Sequence, residues 1–322
     1  MYHRYPLLVK PIIKEKIWGG NFLKKFLKLK NKGNVGEVWF FADLKNENSI
    51  IKNGIYKGKS ISDIYRKFSK AMLGKKIALK YKREFPILIK FIQAKENLSL
   101  QVHPDDKYAL KNENSSGKIE AWYIIETFKN AGILLGTKQK LLPEDIDTGR
   151  KLLKKLLKYK TKKYDSFFIP AGTLHALLKG NIILEIQQNS DITYRVYDWD
   201  RKIKGMSRQL HLEKVKEVIK YDRLAGKIIK KKHIDKKNCR VNCLIKCKYF
   251  NLYEVIIEKK YKKCYNIKRP AILTIITGYL ELLYKNERYK LKTGDVIFLP
   301  INILNVYFNV QSNARVILTE IK

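Results

Sequence analysis

The chain has 322 residues, 45% of them hydrophobic, which excludes intrinsic disorder and exceeds what one ordinary compact core needs. Lys and Arg number 68 against 30 Asp and Glu, a formal net charge of +38 that invites an anionic partner: nucleic acid, a membrane surface or a phosphorylated metabolite. The lysines are scattered among abundant Ile, Asn and Tyr, so they read as a solvated surface set by base composition rather than as a nucleic-acid or membrane footprint.

At the N-terminus, MYHRYPLLVKPIIKEKIWGG is broken by Pro6, Pro11 and charges before a signal-peptide core can form. No apolar run reaches transmembrane length, so the expected location is cytoplasmic with no membrane contact. Residues 60–80 carry a helical pattern. Residues 85–102, 121–136 and 167–197 are rich in Ile, Val, Tyr and Phe and punctuated by Gly, Pro and Asn, as strands are. Between them, EDIDTGRKLLKKLLKYK (144–160) sets Leu152, Leu153, Leu156 and Leu157 on one stripe opposite lysines, which predicts a surface helix packed on the core. Residues 211–220 predict a further short helix, with Val215, Val218 and Ile219 as its stripe. The lysine-rich, weakly patterned stretch 227–248 reads as a boundary, dividing the chain into 1–235 and 236–322. Strands resume at 249–258, 271–284 and 289–319. Cys239, Cys243, Cys247 and Cys264 match neither zinc nor iron–sulfur spacing and read as reduced structural thiols.

An internal echo links the two parts. Asp165-Ser-Phe-Phe-Ile-Pro170 aligns with Asp295-Val-Ile-Phe-Leu-Pro300, and five residues after each proline stand His175 and Asn305. A strand, a turn and a return strand used twice predict a mainly β chain: two cupin-type jelly-roll β-barrels with added helices, the second expected to be metal-free and to serve packing or lid duties.

The polar residues of the first unit are Gln101, His103, Glu120 and His175. In SLQVHPDD, residues two apart share a strand face, so Gln101 and His103 project into one space if Leu100 and Val102 pack the other way. Two imidazoles, a carboxylate and an amide form an N/O donor set that suits Zn²⁺ with one position open. Any one of these residues alone is as easily a satisfied core residue or an exposed strand residue.

Four runs resemble the type I mannose-6-phosphate isomerases, short bacterial form: FPILIKFIQAKENLSLQVHPDD (85–106), GKIEAWYIIE (117–126), FIPAGTLHAL (168–177) and LEIQQNSDITYRVYDWDR (184–201). The motifs WGG (18–20) and VGEVW (35–39) add to the likeness, which runs in order from about residue 6 to 220. The resemblance implies a zinc-dependent interconversion of mannose 6-phosphate and fructose 6-phosphate through a cis-enediol. It implies one zinc ion held by His103, Glu120 and His175, with Gln101 as a further ligand, and a catalytic role for Arg195. The general base is expected at Glu185, ten residues before Arg195. Ser99, Lys118, Arg201 and Lys90 are the expected substrate contacts, being phosphate-capable donors inside motif segments. The expected partner is a phosphosugar and no nucleic acid, with the oligomeric state left open. Two rivals also stay open: a zinc cupin for another sugar or phosphosugar, and a non-catalytic regulatory or nucleic-acid-binding relative.

Overall fold

The computed structural model describes residues 2–222, 232–236 and 238–322. The chain is mainly β, and its strands sort into two units of two facing sheets each. In the first unit a six-stranded antiparallel sheet runs in the order Ser166–Ile169, Glu120–Thr127, Asn181–Gln188, Ile87–Ala94, Val35–Phe40 and Ile12–Gly20. A five-stranded sheet faces it: Leu156–Lys160, Gly132–Thr137, His175–Leu177, Leu100–Val102 and Tyr194–Tyr197. The second unit repeats the plan with a seven-stranded sheet and a four-stranded one. The two-jelly-roll expectation therefore holds, as paired sheets rather than closed barrels.

The sequence echo is a structural repeat. Asp165 and Asp295 each accept a hydrogen bond from the backbone N–H three residues earlier, both at 2.8 Å, and each opens a strand that ends at its proline. Past the prolines the chains diverge. His175 continues into a buried strand, whereas Asn305 adopts a left-handed φ of 55° and stays exposed.

Strand alternation decides which residues meet. Along Asn181–Gln188, Ile182, Leu184 and Ile186 face the second unit, while Ile183, Glu185 and Gln187 face the space between the first unit's sheets. The outward face joins Phe85, Ile87, Ile89 and Phe91 against Phe250, Leu252, Ile272, Phe298 and Ile317 in one continuous core. At its centre the rings of Phe85 and Phe298 meet edge to face with centroids 5.2 Å apart. Strand Leu7–Leu8 pairs with Val296–Leu299, so the N-terminal segment completes the second unit's large sheet.

One polar network crosses this apolar interface. Fully buried Glu254 accepts from Tyr123 Oη at 2.5 Å and from Asn242 Nδ2 at 2.6 Å, and it pairs with the Arg315 guanidinium, which lies 3.8 Å over the Tyr164 ring. Truncating Glu254 would leave a largely buried cation without its counter-charge, a change that typically costs about 3–5 kcal/mol. Glu254→Ala is expected to lower the unfolding free energy by that amount, read as a lower urea midpoint with an unchanged slope; a midpoint within error of the parent would show that the network contributes nothing net.

One sequence expectation is corrected. The predicted helix at 144–160 is instead a 3-10 segment, Pro143–Lys155, followed by the strand Leu156–Lys160. Gly149 breaks the helical path with φ 55° and ψ −118°, a conformation that side-chain-bearing residues rarely adopt. Leu152 and Leu156 are still buried together, the first in the 3-10 segment and the second in the strand, and exposed Lys158 and Lys160 protect a sheet edge. The boundary stretch 227–248 includes a strand, Cys239–Lys246, whose Cys239, Leu244 and Ile245 are buried; residues 227–231 and 237 lie outside the described residues. After Pro104 comes a helix, Asp106–Glu113, whose N-cap Asp105 accepts from Tyr108 N at 3.0 Å. Helix 60–80 is present as Ile61–Leu73 and Lys75–Lys80, split at Gly74, and helix 211–220 as Leu212–Val218.

Candidate metal centre and substrate cavity

Leu100 and Val102 pack with Leu134, Leu152, Ala176 and Val215 on the outer side of the five-stranded sheet. Their neighbours Gln101 and His103 therefore point between the sheets, as the two-residue spacing requires. His175 sits directly opposite Gln101 in the ladder, and Glu120 opens the facing strand. Gly117 lets that strand begin here: a Cβ on it would lie 2.5 Å from the Asp105 carbonyl carbon.

His103, Glu120 and His175 converge in the interior, each offering a donor atom, all within 4.8 Å of one another. Their tautomers follow from their partners. His103 Nδ1 lies 2.8 Å from the Ile192 carbonyl and His175 Nδ1 lies 2.9 Å from that of Thr173. A carbonyl only accepts, so each Nδ1 carries the proton and each Nε2 presents a bare lone pair. Those lone pairs face Glu120 at 3.1 and 3.4 Å. Neither Glu120 oxygen has a well-directed hydrogen bond among the described residues. Two lone pairs and a carboxylate aimed at one another in a buried space fit a cation, and the donor set is of the kind that holds zinc.

Lys118 stands beside this cluster, with Nζ 2.7 Å from Glu120 Oε1 and 3.3 Å from His103 Nε2. Burial works against its charge, but the Glu120 and Glu185 carboxylates outweigh burial and hold the ammonium above its ordinary range. Burial raises the Glu120 carboxyl, yet Lys118 and His103 outweigh it and keep Glu120 well below the usual carboxylate range. Burial first, and then the Lys118 charge, push the His103 imidazole down to about 3, so it is a neutral donor at physiological pH.

Gln101 and Lys118 also line a cavity of about 330 Å³, so the cluster backs onto a space within the size range of small-molecule sites. Gln101 Nε2 contacts His175 Nε2 at 3.2 Å, and a half-turn of the amide would present its oxygen there instead. Glu185 lines the opposite wall, buried, accepting from Trp122 Nε1 at 2.7 Å and lying 3.5 Å from Lys90 Nζ. Burial, then the Glu120 charge, push the Glu185 carboxyl up. Lys90 itself lies 4.6 Å over the Trp39 ring.

Of the other expected contacts, Ser99, Lys90 and Arg195 line the cavity and Arg201 does not. Arg201 is held by the Asp198 carboxylate at 2.5 Å and the Asn97 carbonyl at 2.8 Å. Arg195 donates to the Gln209 carbonyl at 2.6 Å, and its Nε is buried with no partner among the described residues. Beside it stand Arg208 and Lys16, which the sequence did not single out. Both cations lie over the Trp18 ring, at 5.3 and 5.6 Å. Burial lowers both guanidinium pKa values, with the Arg208 charge adding to the effect at Arg195 and the Arg201 charge adding to it at both. Lys16 follows two residues before Trp18, whose motif carried the resemblance and was the available signal; Arg208 lies in a run with no motif at all.

Comparisons with known proteins agree with this geometry. The phosphomannose isomerase type I catalytic-domain model matches residues 7–121, and the mannose-6-phosphate isomerase cupin-domain model matches residues 241–321. Over 305 residues the chain is 37% identical to mannose-6-phosphate isomerase ManA of Bacillus subtilis, covering 92% of this chain and 93% of the relative. It is 33% identical to mannose-6-phosphate isomerase of Streptococcus mutans, covering 94% and 95% of the two chains. The crystal structure of the Bacillus subtilis mannose 6-phosphate isomerase superposes with a TM-score of 0.88 at 31% identity, over 98% of this chain and 99% of that one.

Proposed function

The chain belongs to the type I phosphomannose isomerase family, an aldose–ketose isomerase family, and from that membership we propose that it interconverts mannose 6-phosphate and fructose 6-phosphate with one bound zinc ion. The observation that carries the reading is the convergence of two Nε2 lone pairs and the Glu120 carboxylate behind a cavity walled by Glu185 and Arg195. Residues 1–235 carry the chemistry in this reading, and 236–322 form most of the second jelly roll, to whose large sheet strands Leu7–Leu8 and Lys232–Lys236 also belong. Among the described residues no helix is long and apolar enough to cross a membrane, which is compatible with a cytoplasmic location.

His103, Glu120 and His175 would hold the metal, with Gln101 as a further ligand through its amide oxygen. Bound there, zinc would polarise the sugar's C1 and C2 oxygens and stabilise developing negative charge by several kcal/mol. The chain's own residues supply the rest. Glu185, unprotonated, takes the proton from C2 of the open-chain aldose and returns it to C1 of the cis-enediol, while O1 gains a proton and O2 loses one. Its raised pKa keeps it basic enough for the task, and Trp122 fixes its orientation. Arg195, whose charge does not titrate, holds the oxyanion that forms on the sugar. Lys118 and Ser99 donate to sugar oxygens from the cavity wall.

For the phosphate, Arg208 and Lys16 on the cavity wall are a better electrostatic match than Arg201, whose guanidinium is already engaged and which does not line the cavity. Losing one charge-assisted hydrogen bond costs about 1.5–3 kcal/mol, or roughly 10–100-fold. Arg208→Ala is accordingly expected to raise KM for mannose 6-phosphate by that factor with a small effect on kcat. Steady-state assays on both variants check this; a larger KM effect from Arg201→Ala would return the phosphate to the site expected from sequence. The whole reading is tested by metal analysis together with a coupled assay on mannose 6-phosphate and free mannose. Turnover of free mannose alone would replace the phosphosugar substrate.

A further inference from the structure

The second jelly roll encloses a cavity of about 420 Å³, larger than the one behind the metal cluster. The repeat found in the sequence allows the two cavities to be compared residue by residue. Ile169 pairs with Glu120 as Leu299 pairs with Ala271. Following the ladders outward, Trp122 opposite Glu185 corresponds to Leu273 opposite Leu318, and Glu37 opposite Ile92 corresponds to Val241 opposite Val255. Those five second-unit residues, Ala271, Leu273, Leu318, Val241 and Val255, all line the second cavity. The same hollow between sheets has thus been kept, while a metal-capable carboxylate, a second acid and a third have become Ala, Leu and Val.

The polar residues in the lining are Tyr261, Tyr265, Asn266, Lys268, Arg269 and Glu320. The hydroxyls of Tyr261 and Tyr265 pair with each other. Lys268 and Arg269 are exposed and belong to the lining. Glu320 is also there, facing Asn251 Nδ2 at 3.3 Å and Tyr253 Oη at 3.5 Å and forming a long ion pair with Arg269 Nη1 at 3.9 Å, too far for a hydrogen bond, while Lys268 has no such carboxylate partner among the described residues. An apolar hollow with two cations at its edge suits a molecule with an apolar body and one anionic end.

We propose that the second jelly roll is a binding site for an apolar carboxylate of the medium-chain fatty-acid class, its tail between the sheets and its carboxylate at Lys268 and Arg269. This site is separate from the isomerase cavity and does not depend on the reading given to that cavity.

Calorimetric titration of the full-length enzyme with decanoate tests it. Saturable binding of one decanoate per chain is expected, undisturbed by mannose 6-phosphate. Ala271→Phe, which fills the hollow, should weaken binding about tenfold or more while isomerase turnover persists. Should that variant not fold, the exposed pair Lys268→Ala and Arg269→Ala serves: decanoate affinity should fall about tenfold while that for decanol is unchanged. Absence of saturable binding, binding that persists in a folded Ala271→Phe, displacement by mannose 6-phosphate, or decanoate affinity indifferent to the charge pair would each overturn the proposal.

Discussion

Exchanging His103 for alanine is expected to abolish metal retention and turnover together. His103 contributes one of two imidazole lone pairs in a cluster that is completely buried, so no other side chain or bulk water can take its place. Without that donor only Glu120, His175 and the Gln101 amide remain, and a neutral amide is a weak substitute for the imidazole, thiolate and carboxylate ligands that hold catalytic zinc three at a time. Losing several kcal/mol of charge stabilisation corresponds to about 10³-fold or more in rate, at about 1.4 kcal/mol per tenfold. Metal content and coupled-assay kcat should therefore fall in parallel. Chelation of the parent enzyme should give the same loss, reversible by added Zn²⁺, whereas the variant should not recover. Full retention of metal by the variant would remove His103 from the site. Stoichiometric metal with no turnover in the parent, joined to salt-sensitive nucleic-acid binding, would favour the regulatory rival.

The part of this architecture legible in the sequence is the part governed by a period of two. Gln101 and His103 had to share a face, and the echo of Asp165–Pro170 in Asp295–Pro300 had to mean a repeated strand and turn. What misled was a pattern compatible with two structures. Leu152 and Leu156 are four apart, as on a helix, yet Gly149 and a vacant sheet edge gave the second of them a strand partner in Thr137. The helix after Pro104 was signalled by Asp105, a strong N-cap residue, but two adjacent aspartates beside a histidine read equally well as a turn. Cations were the least legible. Arg195, Arg201 and Arg208 are chemically alike, and only the position of Asp198, which engages Arg201 closely at 2.5 Å and Arg208 at 3.3 Å, separates a structural arginine from those facing the cavity. Asp105 and Asp106 ended as structural residues: the first caps the helix, while the second accepts from Gly117 N at 3.1 Å, Gln188 Nε2 at 2.8 Å and Tyr249 Oη at 2.5 Å.

Glu185→Gln is expected to lower kcat by about 10²–10⁴-fold, the usual contribution of a positioned general base, with KM changed only a few-fold. The amide keeps the volume of the carboxyl and can still accept from Trp122 Nε1, so the cavity wall should survive and the loss should fall on proton transfer. Lys90 provides the second arm of the test, because it serves two different roles in the two readings of its position. As a neighbour 3.5 Å from Glu185, its ammonium favours the charged carboxylate and holds the raised pKa down. Removing it in Lys90→Gln should raise that pKa further, so the unprotonated base is lost at a higher pH as the solution is acidified. The acid limb of the kcat/KM profile should then move upward while KM for mannose 6-phosphate at neutral pH hardly changes. As a phosphate contact, the same substitution would raise KM and leave the limb where it was. A Glu185→Gln enzyme with near-parental kcat would move the general base to another residue of the cavity, and the unmoved limb in Lys90→Gln would agree with it.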